Sequence, residues 1–383
     1  MTEQHANPLV RLLEQGQSIW LDYISRDLVE SGGLQRFIDA DGVRGETSNP
    51  SIFEKAIGAG DAYDAQLREL ARAGLGAEQI FDRIASDDVR AACDVFMPVY
   101  TASGGADGYV SIEVAPEHAY DTEVTIGEAR RLWALVDRPN VMIKIPGTSE
   151  GIPAIRRCLA EGININVTLM FSMAHYEAVV EAFLQACEDR VAVGASLHGL
   201  ASVASFFVSR VDTLCDKQLD DRIAQAGDDA AKQRLAGLKG RIGVANSKLV
   251  YERFSAIFAT SRWQRLAALG AQPQRALWAS TGTKNPAYSD VLYVDELIGP
   301  NTVNTLPEAT LAAYRDHGVV RRTVDADLSQ AHAVLQALAA AGVDLHQVGE
   351  ELQREGVKLF ATAFDGVVRT VDEKRRRFAG ESA

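Results

Sequence analysis

Residues 140–153 read NVMIKIPGTSEGIP and place Lys144 inside an apolar run. Val141, Met142, Ile143 and Ile145 surround it, Pro146 ends the run and Gly147 follows. Such a run stopped by Pro-Gly predicts a buried strand rather than a helix. A lysine there must find a partner, reach water or lose its proton. The apolar flanks favour the third option, and the neutral amine is the nucleophilic form.

Working outward, short apolar stretches alternate with helical patterns. Strands are expected at 18–24, 42–48, 108–114, 141–145, 164–170, 202–209, 275–280 and 301–306. Amphipathic helices such as TIGEARRLWALV (125–136) and the pattern over 172–189 lie between them. Strand–helix alternation implies a parallel sheet, and eight units favour a closed α/β (β/α)8 TIM barrel over a doubly wound open sheet. Ser51-x-x-Glu54 and Thr305-x-x-Glu308 fit capping boxes, with Pro307 near the start of the second helix. The segment between strands six and seven is too long for one crossover, so a helical insertion is expected over about 211–245. From 308 to about 378 the pattern is helical only. The expectation is one barrel domain over 1–383, with its core at about 18–310.

The formal charge of −13 argues against nucleic acid as a partner, since no basic surface dominates. The basic run Lys374–Arg377 follows Asp372 and Glu373, which suits a solvated helix end. The N-terminal stretch MTEQHANPLVRLLEQ is polar and carries acids, so no signal peptide is expected. No apolar run approaches the ~18 residues of a membrane helix. Four scattered cysteines and seven histidines show no disulfide or metal-ligand spacing. A cytoplasmic protein is expected, with no membrane partner and no metal; a homo-oligomer is compatible with the sequence.

Reactive groups of a parallel barrel sit at the C-terminal ends of its strands. Those ends carry Asp22, Asn49, Glu113, Lys144, Asn166 with Thr168, Ser205 and Ser280. Singly, each has a structural explanation: Asp22 as a cap, Asn49 at the Pro50 turn, Glu113 as the partner of Lys144. Together, an amine, two carboxylates and several neutral donors are the makeup of an imine-forming lyase or transferase. Arg210 after strand six and Lys284 in STGTKNP (280–286) suit a phosphate, while pairing of Arg210 with Asp212 and a surface role for Lys284 are the alternatives.

The blocks ETSNPSIFEKAI (46–57), DGYVSIEVAP (107–116), VMIKIPGTSEGIPAI (141–155), GININVTLMFS (162–172), SVASFFVSRVDT (202–213) and LWASTGTKNPAYSD (277–290) resemble, in order, the signature blocks of transaldolases of the longer bacterial type. The resemblance implies a class I aldolase-type barrel with Lys144 at the imine position. It implies a reaction that moves a dihydroxyacetone unit between sugar phosphates in the non-oxidative pentose phosphate pathway, with no cofactor. Glu113 matches the acid/base, working with Thr168 and a water, and Asp22 matches the carboxylate that takes the C4 hydroxyl proton. Asn49, Asn166 and Ser205 match hydroxyl-binding groups, Phe207 an aromatic at the site, and Arg210 the phosphate-binding arginine. Shorter members carry a second arginine two residues after the position of Ser280; here Gly282 stands there, and Lys284 is the candidate replacement. A related aldolase that releases free dihydroxyacetone and a non-catalytic sugar-phosphate binder are the competing readings.

Overall fold

The computed structural model describes residues 7–380, so part of the polar N-terminal stretch lies outside the described residues. Eight strands form the core: β1 (Gln17–Leu21), β2 (Val43–Thr47), β3 (Tyr109–Glu113), β4 (Val141–Pro146), β5 (Ile165–Met170), β6 (Ser202–Phe207), β7 (Arg275–Ala279) and β8 (Thr302–Leu306). They close into a barrel in chain order, with β1 parallel to β8. Each expected strand is present. Residues 22–24 leave the sheet after Leu21, and residue 209 already begins the helix Ser209–Gln225, so Arg210 sits on a helix rather than at a strand end.

Strand alternation divides the side chains between two cores. Trp20, Tyr109, Met142, Val203, Leu277 and Val303 pack inside the barrel. Ile19, Val110, Ile143, Ile145, Val167 and Phe206 face outward into the helical shell. The lower end is plugged by polar groups: Arg275 pairs with Asp107 at 3.2 Å and donates to Ser18 Oγ at 2.9 Å, and Trp20 Nε1 donates to Asp107 at 2.9 Å. Open space is therefore left at the opposite end, where the strands finish.

Two expected capping boxes do not form. Pro50 occupies the first helical position of Pro50–Gly58, which makes Asn49 the cap; its Oδ1 accepts from Ile52 N at 3.1 Å. Thr305 lies within β8 and shares a 2.7 Å hydrogen bond with Thr47, while Pro307 is the residue before the helix Glu308–His317. Between β6 and β7 run four helices, Ser209–Gln225, Asp229–Ala236, Ile242–Ile257 and Ser261–Ala268, and the second of these buries none of its residues.

After β8 come the helices Glu308–His317, Leu328–Ala340 and Leu345–Gly380. The last has 36 residues and is about 54 Å long at the standard rise. It crosses the barrel mouth. Gln353 Nε2 donates to Gly147 O at 2.9 Å and to Leu169 O at 3.0 Å, just past β4 and within β5. Leu169 has φ +60° and the register with β6 shifts between Val167 and Met170, so Gln353 satisfies a carbonyl at an irregular point of the ladder. His175 with Glu350 at 2.8 Å and Lys374 with Asp64 at 2.8 Å tie the same helix down elsewhere.

The helix approaches closely because two positions lack a side chain. A Cβ at Gly349 would lie 2.9 Å from Ser172 Cβ, and one at Gly356 would lie 2.7 Å from Leu169 Cδ2. Substituting Gly349→Leu together with Gly356→Leu should therefore cost stability by overpacking, about 1–3 kcal/mol at each site. Urea unfolding measures it, and an unchanged midpoint would contradict the close approach.

Candidate active site

Lys144 Nζ is the centre of the open end. It donates to Ser48 O at 3.2 Å and lies 3.7 Å from Glu113 Oε2. Strand register makes the second contact: Lys144 pairs with Glu113 on β3 and with Asn166 on β5. The ring of Phe360, from the mouth-crossing helix, has its centroid 5.5 Å from the amine. The sequence flanks do not surround the amine, because Ile143 and Ile145 project to the other face of the strand. Cross-strand neighbours and the last helix define its surroundings instead.

Asp22, Asn49, Lys144, Thr168, Ser205, Phe207, Arg210, Ser280 and Lys284 line one cleft, whose empty volume is about 710 Å3 with open solvent included. Glu113 lines an adjoining pocket with Phe53, Phe81 and Phe364 and reaches the amine from its side; Asn49 borders both. Asn166 lies beneath the cleft: it donates to Ser111 Oγ at 3.0 Å and accepts from Ser205 Oγ at 2.6 Å. Its immediate effect is to aim Ser205. Asn49 has its amide oxygen committed to the helix cap, which leaves its NH2 as the group to offer a ligand.

The two carboxyls are tuned in the same direction. Burial raises Glu113 to about 7, opposed by the charge of Lys144. Neither Glu113 oxygen, nor the hydroxyl of fully buried Thr168, has a hydrogen-bond partner among the described residues. Burial also raises Asp22, opposed by Lys144, by a 2.8 Å hydrogen bond from Thr47, and by Arg210 and Lys284. A carboxyl that holds its proton near neutrality can donate it, and a carboxylate held by one hydroxyl can accept one.

At the outer rim the Arg210 guanidinium lies 5.2 Å from the Phe207 ring centroid. Burial lowers the Arg210 value, opposed by Asp22 and Glu355. Asp212 is not its partner: that carboxylate accepts from Gly243 N and Tyr293 Oη, both at 2.8 Å. Among the described residues neither Arg210 nor Lys284 has a contacting ion pair, so two cations face the cleft with no carboxylate held against them. Ser280, at φ +54°, shares a 2.9 Å hydrogen bond with Ser209.

Strand-end reading misses Phe360, Thr47 and Thr305, which also line the cleft. Phe360 and Phe364 are four residues apart, so one helical face serves both the cleft and the Glu113 pocket. That spacing in KLFATAF was the available signal, but it does not say what the face covers.

The family model described as transaldolase/fructose-6-phosphate aldolase matches residues 19–371. The transaldolase of Acidothermus cellulolyticus is 50% identical over 375 residues, covering 97% of this chain and 98% of that protein. The chain belongs to the transaldolase/fructose-6-phosphate aldolase family. Transaldolases of Parafrankia sp. (48% over 370 residues, 96% of this chain and 98% of that protein) and Trichodesmium erythraeum (45% over 373, 97% and 98%) agree. Likeness of this extent makes it an enzyme, a transferase of the transaldolase type. The transaldolase-family match runs past Phe360, so it includes the part of the last helix that covers the mouth.

Two outcomes follow from the geometry. The folded value of Glu113, about 7, exceeds its ordinary 4.5, so the folded state holds this proton more tightly than the unfolded state. The stability contributed by this group is complete below about pH 4.5 and is lost as pH rises toward 7. In Glu113→Gln that loss is absent, so the melting temperature of the variant relative to the parent should rise from pH 5 to pH 8; a constant difference would count against the burial argument. Phe360→Ala removes the ring beside the amine and opens the mouth, and should lower kcat/KM about 3- to 30-fold, the scale of a partly desolvated cation–π contact to a cation formed at that nitrogen during reaction. Steady-state kinetics at neutral pH read this directly.

Proposed function

We propose that the enzyme transfers a dihydroxyacetone unit from a ketose phosphate (sedoheptulose 7-phosphate or fructose 6-phosphate) to an aldose phosphate (glyceraldehyde 3-phosphate or erythrose 4-phosphate) through an imine on Lys144. The observation that carries this reading is a buried amine 3.7 Å from one carboxyl, in a cleft shared with a second carboxyl and two unpaired cations. A non-catalytic binder has no need of both carboxyls.

Lys144 attacks C2 of the donor ketose, and the former carbonyl oxygen becomes the carbinolamine hydroxyl. Glu113, protonated to about neutral pH, gives that hydroxyl a proton, and water leaves as the imine forms. The Thr168 hydroxyl, buried and without a partner among the described residues, suits a water-assisted relay to Glu113. Asp22, oriented by Thr47, takes the proton of the C4 hydroxyl. The C3–C4 bond then breaks, its electron pair moves into the protonated imine to give an enamine, and the aldose phosphate departs. An acceptor aldehyde adds by the reverse steps, and hydrolysis frees Lys144.

Asn49 and Ser205 hold the dihydroxyacetone hydroxyls, with Asn166 supporting Ser205, while Phe207 packs beside Arg210. Arg210, Lys284 and Ser280 receive the phosphate, for which unpaired cations at the rim are suited. This reading places the enzyme in the non-oxidative pentose phosphate pathway of the cytoplasm; among the described residues no helix is long and apolar enough to cross a membrane.

Borohydride reduction in the presence of fructose 6-phosphate, followed by mass mapping, should add one reduced dihydroxyacetone unit to Lys144. Lys144→Met should lose the adduct and more than about 10³-fold of kcat, as expected when a nucleophile is removed. Adduct on another residue, or none, would overturn the imine assignment. Transfer to erythrose 4-phosphate should exceed release of free dihydroxyacetone; dominant release would mark an aldolase instead.

A further inference from the structure

The loop after β7, residues 280–291, carries Lys284 between two compartments. On one side is the cleft. On the other is a hollow lined by Asp212, Asp216 and Asp220 from the helix Ser209–Gln225, with Tyr288 and Tyr293. An exposed lysine beside several carboxylates would ordinarily turn to them. Here three of the hollow's four carboxylates are already engaged, exposed Asp221 being the exception among the described residues. Asp216 accepts from Tyr288 Oη at 2.5 Å and from Gly240 N at 3.0 Å. Asp212, one turn earlier, accepts from Tyr293 Oη and Gly243 N, both at 2.8 Å. Asp220 pairs with Lys239 at 2.6 Å.

Asp216 thus joins three segments, its own helix, the chain returning through Gly240 and the Lys284 loop, while Asp212 ties the same helix to Gly243 and to Tyr293 just past that loop. Contact is tight on the return segment. Gly240 has φ +71°, and a Cβ there would lie 2.6 Å from the Tyr288 ring, so the ring rests directly on the glycine. Within the loop, Thr283 Oγ1 donates to Ser289 O at 2.8 Å and Tyr288 N to Asn285 O at 3.1 Å, so a restraint on Tyr288 is passed to Lys284.

We infer that Tyr288 and Asp216 form a clasp by which the helices inserted between β6 and β7 position Lys284 for the substrate phosphate. The clasp acts in two ways. It holds the loop against the insertion, and it occupies the Asp216 oxygen that would otherwise capture the Lys284 ammonium. Tyr288 is a positioning residue: its effect on the phosphate passes through Lys284. The inference rests on the sugar-phosphate reading of the cleft.

Tyr288→Phe removes only the hydroxyl. It should raise KM for fructose 6-phosphate, and the inhibition constant of inorganic phosphate as a competitor, about three- to tenfold, the scale of one typical lost hydrogen bond felt through Lys284. It should leave kcat within twofold and the borohydride adduct on Lys144 intact. Lys284→Met should raise the same two constants, and adding Tyr288→Phe to it should change them no further. If Lys284→Met weakens phosphate binding while Tyr288→Phe does not, or if the double variant is additive, the clasp is overturned and the phosphate role of Lys284 stands. If neither variant moves either constant, Lys284 does not meet the phosphate and the inference falls with it. A fall in kcat without a rise in KM would show a general structural role and also overturn it. Failure of trapping in the parent enzyme is a separate result, and sinks the imine reading instead.

Discussion

A buried amine and a buried carboxyl 3.7 Å apart, carried by paired positions of adjacent strands, set the terms for the rest of the molecule. Taking two ionisable groups out of water is expensive, and their attraction repays it only in part. The structure meets that cost in several ways. Glu113 keeps its proton to about neutral pH, Ser48 offers a carbonyl to the amine, and the barrel holds both side chains on strands whose outward faces are locked into an apolar shell. A single strand pair would not hold such a geometry. Closure of all eight strands, with Asp107 and Arg275 plugging the floor, leaves one end for chemistry and gives it rigid walls.

The barrel was legible in the sequence because most strands are short apolar runs bounded by turn residues, β2 (VRGET) being the weakest, and the residues ending those runs are polar where packing alone would want them apolar. Lys144 and Glu113 stand out on that ground, and Asp22 follows directly on β1. The immediate surroundings of the amine were less legible. The apolar flanks in VMIKI suggest an apolar bath for Lys144, yet a period of two sends Ile143 and Ile145 to the opposite face. Proximity along a strand and proximity in space are here nearly opposites. The cap before Pro50 was misplaced for a related reason: a residue pattern for capping fits Ser51, but proline at the first helical turn moves the boundary by two residues.

The last helix marks where sequence reading stops. Its apolar face is visible as a pattern, but nothing local states that Gln353 meets the carbonyls of Gly147 and Leu169, or that Phe360 meets Lys144. Those partners are separated by roughly half the chain, and contacts at that range are a product of closure. The aspartates of the insertion are similar. As sequence, Asp212 looks like a partner for Arg210; in the fold it and Asp216 are each taken by a tyrosine and a backbone amide.

The position of Phe360 has a consequence for biosynthesis. Asp22 follows the first strand of the barrel and Phe360 belongs to the final described helix, so the cleft is assembled from opposite ends of the polypeptide. Domains form during translation from the N-terminal side onward. A ribosome-bound chain that has released all eight strands would already own Lys144, Glu113 and Asp22, yet its mouth would stand uncovered until the last helix emerged. During that interval the amine proposed to form the imine would be open to any cellular aldehyde, and emergence of the helix that carries Phe360 is what would guard it.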